Sequence, residues 1–185
     1  MKLLLFIFDQ VNVKLSDIAT IKTGSRITKK QLLKQGYPVI SGGMNIFGYY
    51  DQFNTKANTI TIAKYGTAGY IDFQTQEFWA NDVTYLIEPL EFIDNKFLYY
   101  TLLNNQKLID SYVIKATPNH LPIDKLKELP ITITSFKNQE VISKWIDSFN
   151  NLIIDMDNSI PKLIELSTKQ YIYYRNYLFG LLENK

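Results

Sequence analysis

The sequence predicts an α+β protein: a compact mixed domain with a largely antiparallel sheet over residues 1–136, then a long coiled-coil-type helical arm over 137–185. Three observations carry that reading. Segments such as Thr59-Ile60-Thr61-Ile62-Ala63 alternate polar and apolar side chains with the period of two that a half-buried strand requires. Gly- and Pro-containing turns separate these segments, and the Gly66 to Gly69 turn is short enough to close a hairpin. Beyond Lys137, the residues Ile142, Trp145, Phe149, Leu152 and Met156 recur at alternating spacings of three and four, the seam of a coiled coil.

Taken in order, the opening Met1-Lys2-Leu3-Leu4-Leu5-Phe6-Ile7-Phe8 is an apolar run that stops at Asp9-Gln10 with no small-residue cleavage site. It is too short for export or a membrane span and is expected to be a buried first strand. Asn12 to Ile21 reads as strand, turn at Ser16-Asp17, strand. Thr28 to Gln35 reads as a short helix stopped at Gly36, with Pro38 just beyond. Val39-Ile40 enters a loop, Ser41-Gly42-Gly43-Met44-Asn45, that no regular element would tolerate. Thr59 to Ala63 and Tyr70 to Phe73 form the hairpin. Val83 to Ile87 is another strand, ended by Pro89. Asp94 is positioned to cap a helix over Lys96 to Leu103, in which Phe97, Leu98, Thr101 and Leu102 fall at helical spacing. Ala116 to Pro122 is a loop, and Ile131 to Thr134 the last strand.

In the arm, Ile160, Leu163, Ile164, Tyr174, Tyr177, Leu178 and Leu181 continue the apolar face. About 44 residues at about 1.5 Å each span roughly 65 Å. A stripe that long is not buried by one small head, so the arm is expected to need a partner helix. Pro161 either kinks it or opens a second helix with Asn158 or Ser159 near the cap.

Composition narrows the chemistry. At 185 residues with 46% hydrophobic and 14% aromatic side chains, the chain is globular, with room for one domain and an appendage. It has no cysteine, which excludes disulfides, zinc ribbons and thiol nucleophiles and fits a reducing, cytoplasmic setting. His120 is the only histidine, so no histidine metal cluster can form. No G-x-S-x-G elbow is present, and Lys64-Tyr65-Gly66-Thr67-Ala68-Gly69 lacks the G-K-[ST] of a phosphate loop. The Asp124/Glu128 pair sits at the spacing of a solvated helix face.

The net charge is only +2, but its distribution is lopsided. Between Ile18 and Ile71 stand Lys22, Arg26, Lys29, Lys30, Lys34, Lys56 and Lys64 against a single acid, Asp51. Basic side chains interleaved with Tyr and Gly suit a nucleic-acid face: cations neutralise phosphates, glycines admit backbone amides, and Tyr, Asn and Gln reach base edges. An ordinary solvated surface would carry the same composition.

Local sequences are more specific. Lys14-Leu15-Ser16-Asp17-Ile18-Ala19 followed by Lys22-Thr23-Gly24 is the first of an ordered series. Tyr37-Pro38-Val39-Ile40-Ser41-Gly42-Gly43, Gly48-Tyr49-Tyr50-Asp51, Ile62 to Gly69, Phe78-Trp79-Ala80-Asn81-Asp82-Val83-Thr84-Tyr85 and Lys96-Phe97-Leu98-Tyr99-Tyr100 follow. Gln139-Glu140-x-Ile142 and Lys169-Gln170-Tyr171 with Tyr173-Tyr174 complete it. In this order they resemble the target-recognition domain and conserved helical region of the specificity (S) subunit of Type I restriction–modification systems. Thr132-Ile133-Thr134-Ser135-Phe136 stands where that family has a proline-rich entry to the helix.

The resemblance implies a non-catalytic, sequence-specific DNA-recognition subunit, half-size, with one recognition domain and one helical region. Two copies would dimerise through their arms and read a bipartite, gapped, palindromic double-stranded DNA target. Methyltransferase (M) subunits using S-adenosylmethionine and a restriction (R) subunit using ATP and Mg would carry the catalysis, so this chain needs no cofactor. Phosphate and base contacts are expected from Arg26, Lys29 and Lys30, from Ser41, Gly42, Gly43 and Asn45, from Lys64 and Tyr65, and from Asn119 and His120. Trp79 and Asn81-Asp82 are expected to build the fold. Dimerisation is expected through Ile142, Trp145, Phe149, Leu152, Met156, Leu163, Tyr174 and Leu178. The rival readings are a truncated or silent recognition cassette and a small carboxylate-based hydrolase.

Overall fold

The computed structural model describes residues 10–183, with the side chains of residues 157, 158 and 171–183 left out. The expected first strand over Met1 to Phe8 lies outside the described residues. The chain divides into two compact units, Met1–Ser143 and Lys144–Lys185.

The first unit has the expected α+β make-up, spread over three small sheets. Strand β1 (Gln10–Lys14) leads through a helical turn, α1 (Leu15–Ile18), into β2 (Ala19–Thr23). Leu15 and Ile18 are fully buried, so the turn at Ser16-Asp17 is pinned from the inside. Three further strands follow: β3 (Tyr37–Ile40), β4 (Gly48–Tyr50) and β5 (Thr59–Ala63). Then come β6 (Ile71–Gln74), β7 (Trp79–Ala80) and β8 (Thr84–Pro89). Helices α2 (Asn95–Asn104), α3 (Gln106–Tyr112) and α4 (Ile123–Lys127), strand β9 (Pro130–Thr134) and the long helix α5 (Phe136–Glu183) complete the chain. The main sheet is antiparallel in the order β2-β8-β5-β6; β1 pairs with β9, and β4-β3-β7 form a third sheet in which only the β3–β7 pair is parallel.

The main sheet separates two cores because side chains alternate along each strand. Ile60, Ile62, Tyr85 and Ile87 face the larger core, where Leu98, Leu102, Ile109, Leu121, Leu126, Ile131 and Ile133 pack against them. Leu86 points the other way, to a small cluster with Phe78 and Ala80 that Ile40 covers. The helix expected from Asp94 forms as spacing required, and the Asp94 carboxylate accepts from the Phe97 backbone N–H at 2.8 Å. It begins at Asn95, ends at Asn104 and is followed by α3, a second helix the sequence reading does not anticipate. Asn105 makes the break, its amide donating back to the Thr101 carbonyl at 2.9 Å.

Thr28 to Gln35 departs from expectation. Only Lys29–Gln31 turns, as a single 3₁₀ turn closed by Gln31 Oε1 accepting from the Thr28 N–H at 3.0 Å. The chain then straightens, and the Leu33 N–H donates to the Tyr49 carbonyl at 2.8 Å. Sheet pairing with β4 therefore outcompetes a short helix whose side chains find no core: Leu33 is 49% exposed. Gly36 does not end a helix. Its φ of +139° turns the chain into β3, and a Cβ there would lie 2.2 Å from the Tyr50 carbonyl oxygen.

The first turns of α5 belong to the first unit. Gln139 and Ser143 are buried; Gln139 Nε2 donates to the Thr134 carbonyl at 2.8 Å, and its Oε1 accepts from the Asp94 N–H at 2.8 Å. In the second unit the backbone stays helical through Pro161, so no second helix starts there. Ser159 does not cap forward; its hydroxyl donates back to the Asp155 carbonyl at 2.7 Å. The described seam residues Ile142, Trp145, Phe149, Leu152, Met156 and Leu163 are 40–67% exposed. Tyr174 and Leu178 have side chains outside the described set.

Candidate nucleic-acid interface

Three loops that are far apart in sequence are fastened to one another. The first follows β3 and runs from Ser41 to Phe47, where the Phe47 N–H closes it on the Val39 carbonyl at 2.9 Å. The second is the β5–β6 turn, in which Gly66 and Gly69 take φ of +77° and +91°. The third runs from Ile114 to Leu121 and is pinched by reciprocal backbone hydrogen bonds between Ile114 and His120 at 2.9 and 3.1 Å.

Backbone and hydroxyl groups make the joints. The Gly42 carbonyl accepts twice from Thr67, from its N–H at 2.9 Å and its hydroxyl at 2.8 Å. The Gly66 N–H donates to the Asn119 carbonyl at 3.2 Å, and the Leu121 N–H to the Lys64 carbonyl at 2.9 Å. Gly42 is required by space: a Cβ there would lie 2.2 Å from the Tyr65 carbonyl oxygen. Beside it, Gly43 meets only Asn45 backbone atoms at 3.9 Å or more, so it is not required for the same reason.

Side chains at the joint are aromatic and cationic. The Tyr65 and His120 rings lie with centroids 6.0 Å apart at 37°. Lys64 Nζ sits 5.3 Å from the Tyr65 ring centroid and 5.6 Å from that of Tyr85, close enough for cation–π attraction to both. Tyr85 is 1% exposed and its phenol donates to the Leu121 carbonyl at 2.9 Å. Burial pushes that phenol up to about 12, so it remains a neutral donor at any physiological pH.

The structure thus brings together eight of the expected contact residues: Ser41, Gly42, Gly43, Asn45, Lys64, Tyr65, Asn119 and His120. The other three, Arg26, Lys29 and Lys30, are exposed on the segment between β2 and β3. Asn81 links the two groups. It is 6% exposed, accepts from the Ile27 N–H at 3.1 Å through Oδ1 and donates to the Ser41 hydroxyl at 3.3 Å. Trp79 belongs to the same scaffold, its indole N–H donating to the Ser25 carbonyl at 2.9 Å. Thr67 is the fastening residue the sequence reading overlooks; a hydroxyl two residues past Tyr65 in a glycine turn was the available signal.

Of the basic residues counted from the sequence, Lys22 is committed to Glu88 at 2.6 Å. The Asp124/Glu128 pair does not converge on a cleft: Glu128 bonds Lys14 Nζ at 2.6 Å, and that hydrogen bond raises the Lys14 pKa. Among the described residues no group of three or more acidic or histidine side chains is arranged to hold a metal ion. No described helix is long and apolar enough to cross a membrane.

Residues 9–166 match the family model described as the Type I restriction modification DNA specificity domain. The chain belongs to that family. A type I specificity subunit of Mycoplasma genitalium is 33% identical over 168 residues, covering 88% of this chain and 43% of its own length. Another from Mycoplasma pneumoniae is 30% identical over 172 residues, covering 90% and 44%. The crystal structure of a Type I restriction–modification S subunit from M. genitalium superposes with a TM-score of 0.74 at 27% identity, covering 80% of this chain and 41% of that one. The HsdS subunit of Thermoanaerobacter tengcongensis shares the fold, with a TM-score of 0.63 at 12% identity over 82% of this chain and 40% of its own. The chain spans less than half the length of these relatives. The resemblance read from ordered motifs is therefore borne out, and the specificity family is the non-catalytic, DNA-recognition part of such complexes.

Proposed function

We propose that this chain reads one half of a bipartite double-stranded DNA target with the three-loop surface, and that its arm pairs with the arm of a second copy. The observation that carries the reading is the fastening of the Ser41–Phe47, Lys64–Gly69 and Ile114–Leu121 loops into one rigid surface presenting Lys64, Tyr65 and His120. A reader of base edges needs side chains held in register with the groove, and loops bonded backbone to backbone provide that. Membership of the specificity family supports the choice of DNA as ligand. The apolar face of the arm supports a helical partner, since an exposed stripe of this length is stabilised when a second helix covers it.

In this reading the homodimer's two-fold symmetry is mirrored in a gapped palindrome. Methyltransferase subunits carrying S-adenosylmethionine flip and methylate an adenine, and a restriction subunit uses ATP and Mg. The assembly works in the cytoplasm, and this chain contributes placement of the duplex. Co-expression with methyltransferase subunits, followed by mapping of methylated adenines, tests it: a gapped, self-complementary motif is expected. Absence of any methylated motif would favour a silent cassette, and an asymmetric motif would count against a homodimer. In light scattering the protein should be a discrete dimer, and Phe149→Glu with Leu152→Glu should convert it to monomer.

The Arg26 to Lys30 segment makes a separate prediction. Lys29→Ala with Lys30→Ala should weaken binding to all duplexes alike. It should also lower the slope of log affinity against log salt by about 2, one counterion-release increment for each lost phosphate contact. An unchanged slope would remove this segment from the DNA face.

A further inference from the structure

The crown of the Ser41–Phe47 loop is unusually apolar for a surface loop. Met44 is 63% exposed and Ile46 48% exposed, and neither belongs to either hydrophobic cluster of the first unit. The loop borders a cleft of about 180 Å³ lined by Met44 and Ile46, by Ile40, Ala63 and Tyr70, and by the polar Thr61, Asp72, Gln74 and Thr84. Three of those polar groups are occupied with one another: Gln74 Nε2 donates to Asp72 Oδ2 at 2.9 Å and to the Thr61 hydroxyl at 3.3 Å. Single exposed apolar residues are ordinary. Two of them flanking Asn45, on a loop held by Thr67, Asn81 and Val39, form a fixed apolar edge with an amide at its centre.

In the major groove the projecting apolar group on a base edge is the 5-methyl of thymine, and an Asn side chain matches the adenine edge. We propose that Met44 and Ile46 are specificity-determining residues that select thymine in the target half-site through its 5-methyl group. This rests on the DNA-reading function above and narrows it to a base class at one loop. The energetic logic is simple: an exposed thioether and an exposed sec-butyl group gain by burying a methyl group, and uracil, which lacks the methyl, offers nothing to bury.

The test uses the full chain with its methyltransferase subunits and duplexes carrying the mapped motif, each thymine replaced in turn by deoxyuridine. Wild-type protein should lose about fourfold in affinity at one or more of these positions, the equivalent of one buried methyl group. A Met44→Ala, Ile46→Ala variant should bind thymine and uracil duplexes equally at those same positions. Both side chains are exposed, so a thermal melt should match wild type and confirm that the loop's scaffold is intact. Retention of the full uracil penalty by the variant overturns the proposal, as does a wild type indifferent to uracil at every position. Loss of methyltransferase association by the variant would also overturn it, assigning the pair to a protein contact. Failure of the wild-type complex to select any duplex would instead bring down the DNA reading itself.

Discussion

Gly42→Ala is expected to lower the thermal midpoint by roughly 6–20 °C and to abolish target selectivity while leaving weak, non-specific DNA binding. The added Cβ would stand 2.2 Å from the Tyr65 carbonyl oxygen, a backbone atom that does not swing aside as a side-chain terminus would. Relief requires the Ser41–Phe47 loop to lift from the β5–β6 turn. Overpacking of this kind costs about 1–3 kcal/mol, and the two Thr67 hydrogen bonds to the Gly42 carbonyl add about 1 kcal/mol each if they break. For a chain of this size each kcal/mol moves the midpoint by about 2–4 °C. Gly43→Ala is the control, because its Cβ would make only ordinary contacts with the Asn45 backbone at 3.9 Å or more, and its midpoint should stay within about 1 °C of wild type. Equal tolerance of the two substitutions in a melting experiment would refute the fastened-loop description.

Asn81→Ala should cost about 2–4 kcal/mol in denaturant unfolding. Its Oδ1 accepts from the Ile27 N–H at 3.1 Å and the Asp82 N–H at 2.9 Å, and its Nδ2 donates to Ser41 at 3.3 Å. Ile27 is only 4% exposed, so truncation strands a buried N–H, worth about 1–3 kcal/mol, and leaves a cavity besides. The functional effect should be broader than the stability loss: the basic Arg26–Lys30 segment and the Ser41 loop would lose their common anchor together. Selectivity and salt slope should therefore both change. A variant that melts early yet keeps both would show that Asn81 serves the fold alone.

The strands of the main sheet, β1 and β9, the Asp94-capped helix and the arm were legible because each is written in a local period or cap, whereas β3, β4 and β7, two to four residues long, were not. What the sequence did not reveal depends on distant partners. Thr28 to Gln35 has helical composition, but Leu33 finds Tyr49 and the helix is lost to a sheet edge. The break at Asn105 hides α3 because no glycine or proline marks it. The three loops could be named one by one as nucleic-acid candidates from their Gly, Lys, Tyr and Asn content. That Thr67 is bonded to Gly42 and Gly66 to Asn119 was not readable, since no local pattern encodes a contact spanning 25 residues or more.

The alternation of Tyr85 and Ile87 against Leu86 across the main sheet also bears on how such a protein changes. The large core lies on one side, and the Ser41–Phe47 loop hangs over Thr61, Ala63 and Thr84 on the other. Substitutions at the crown of that loop leave the main reservoir of stability untouched and draw at most on the small Phe78–Ala80–Leu86 cluster. Lineages would then be free to explore new targets by rewriting one face, while inheritance of the fold is secured by the opposite one.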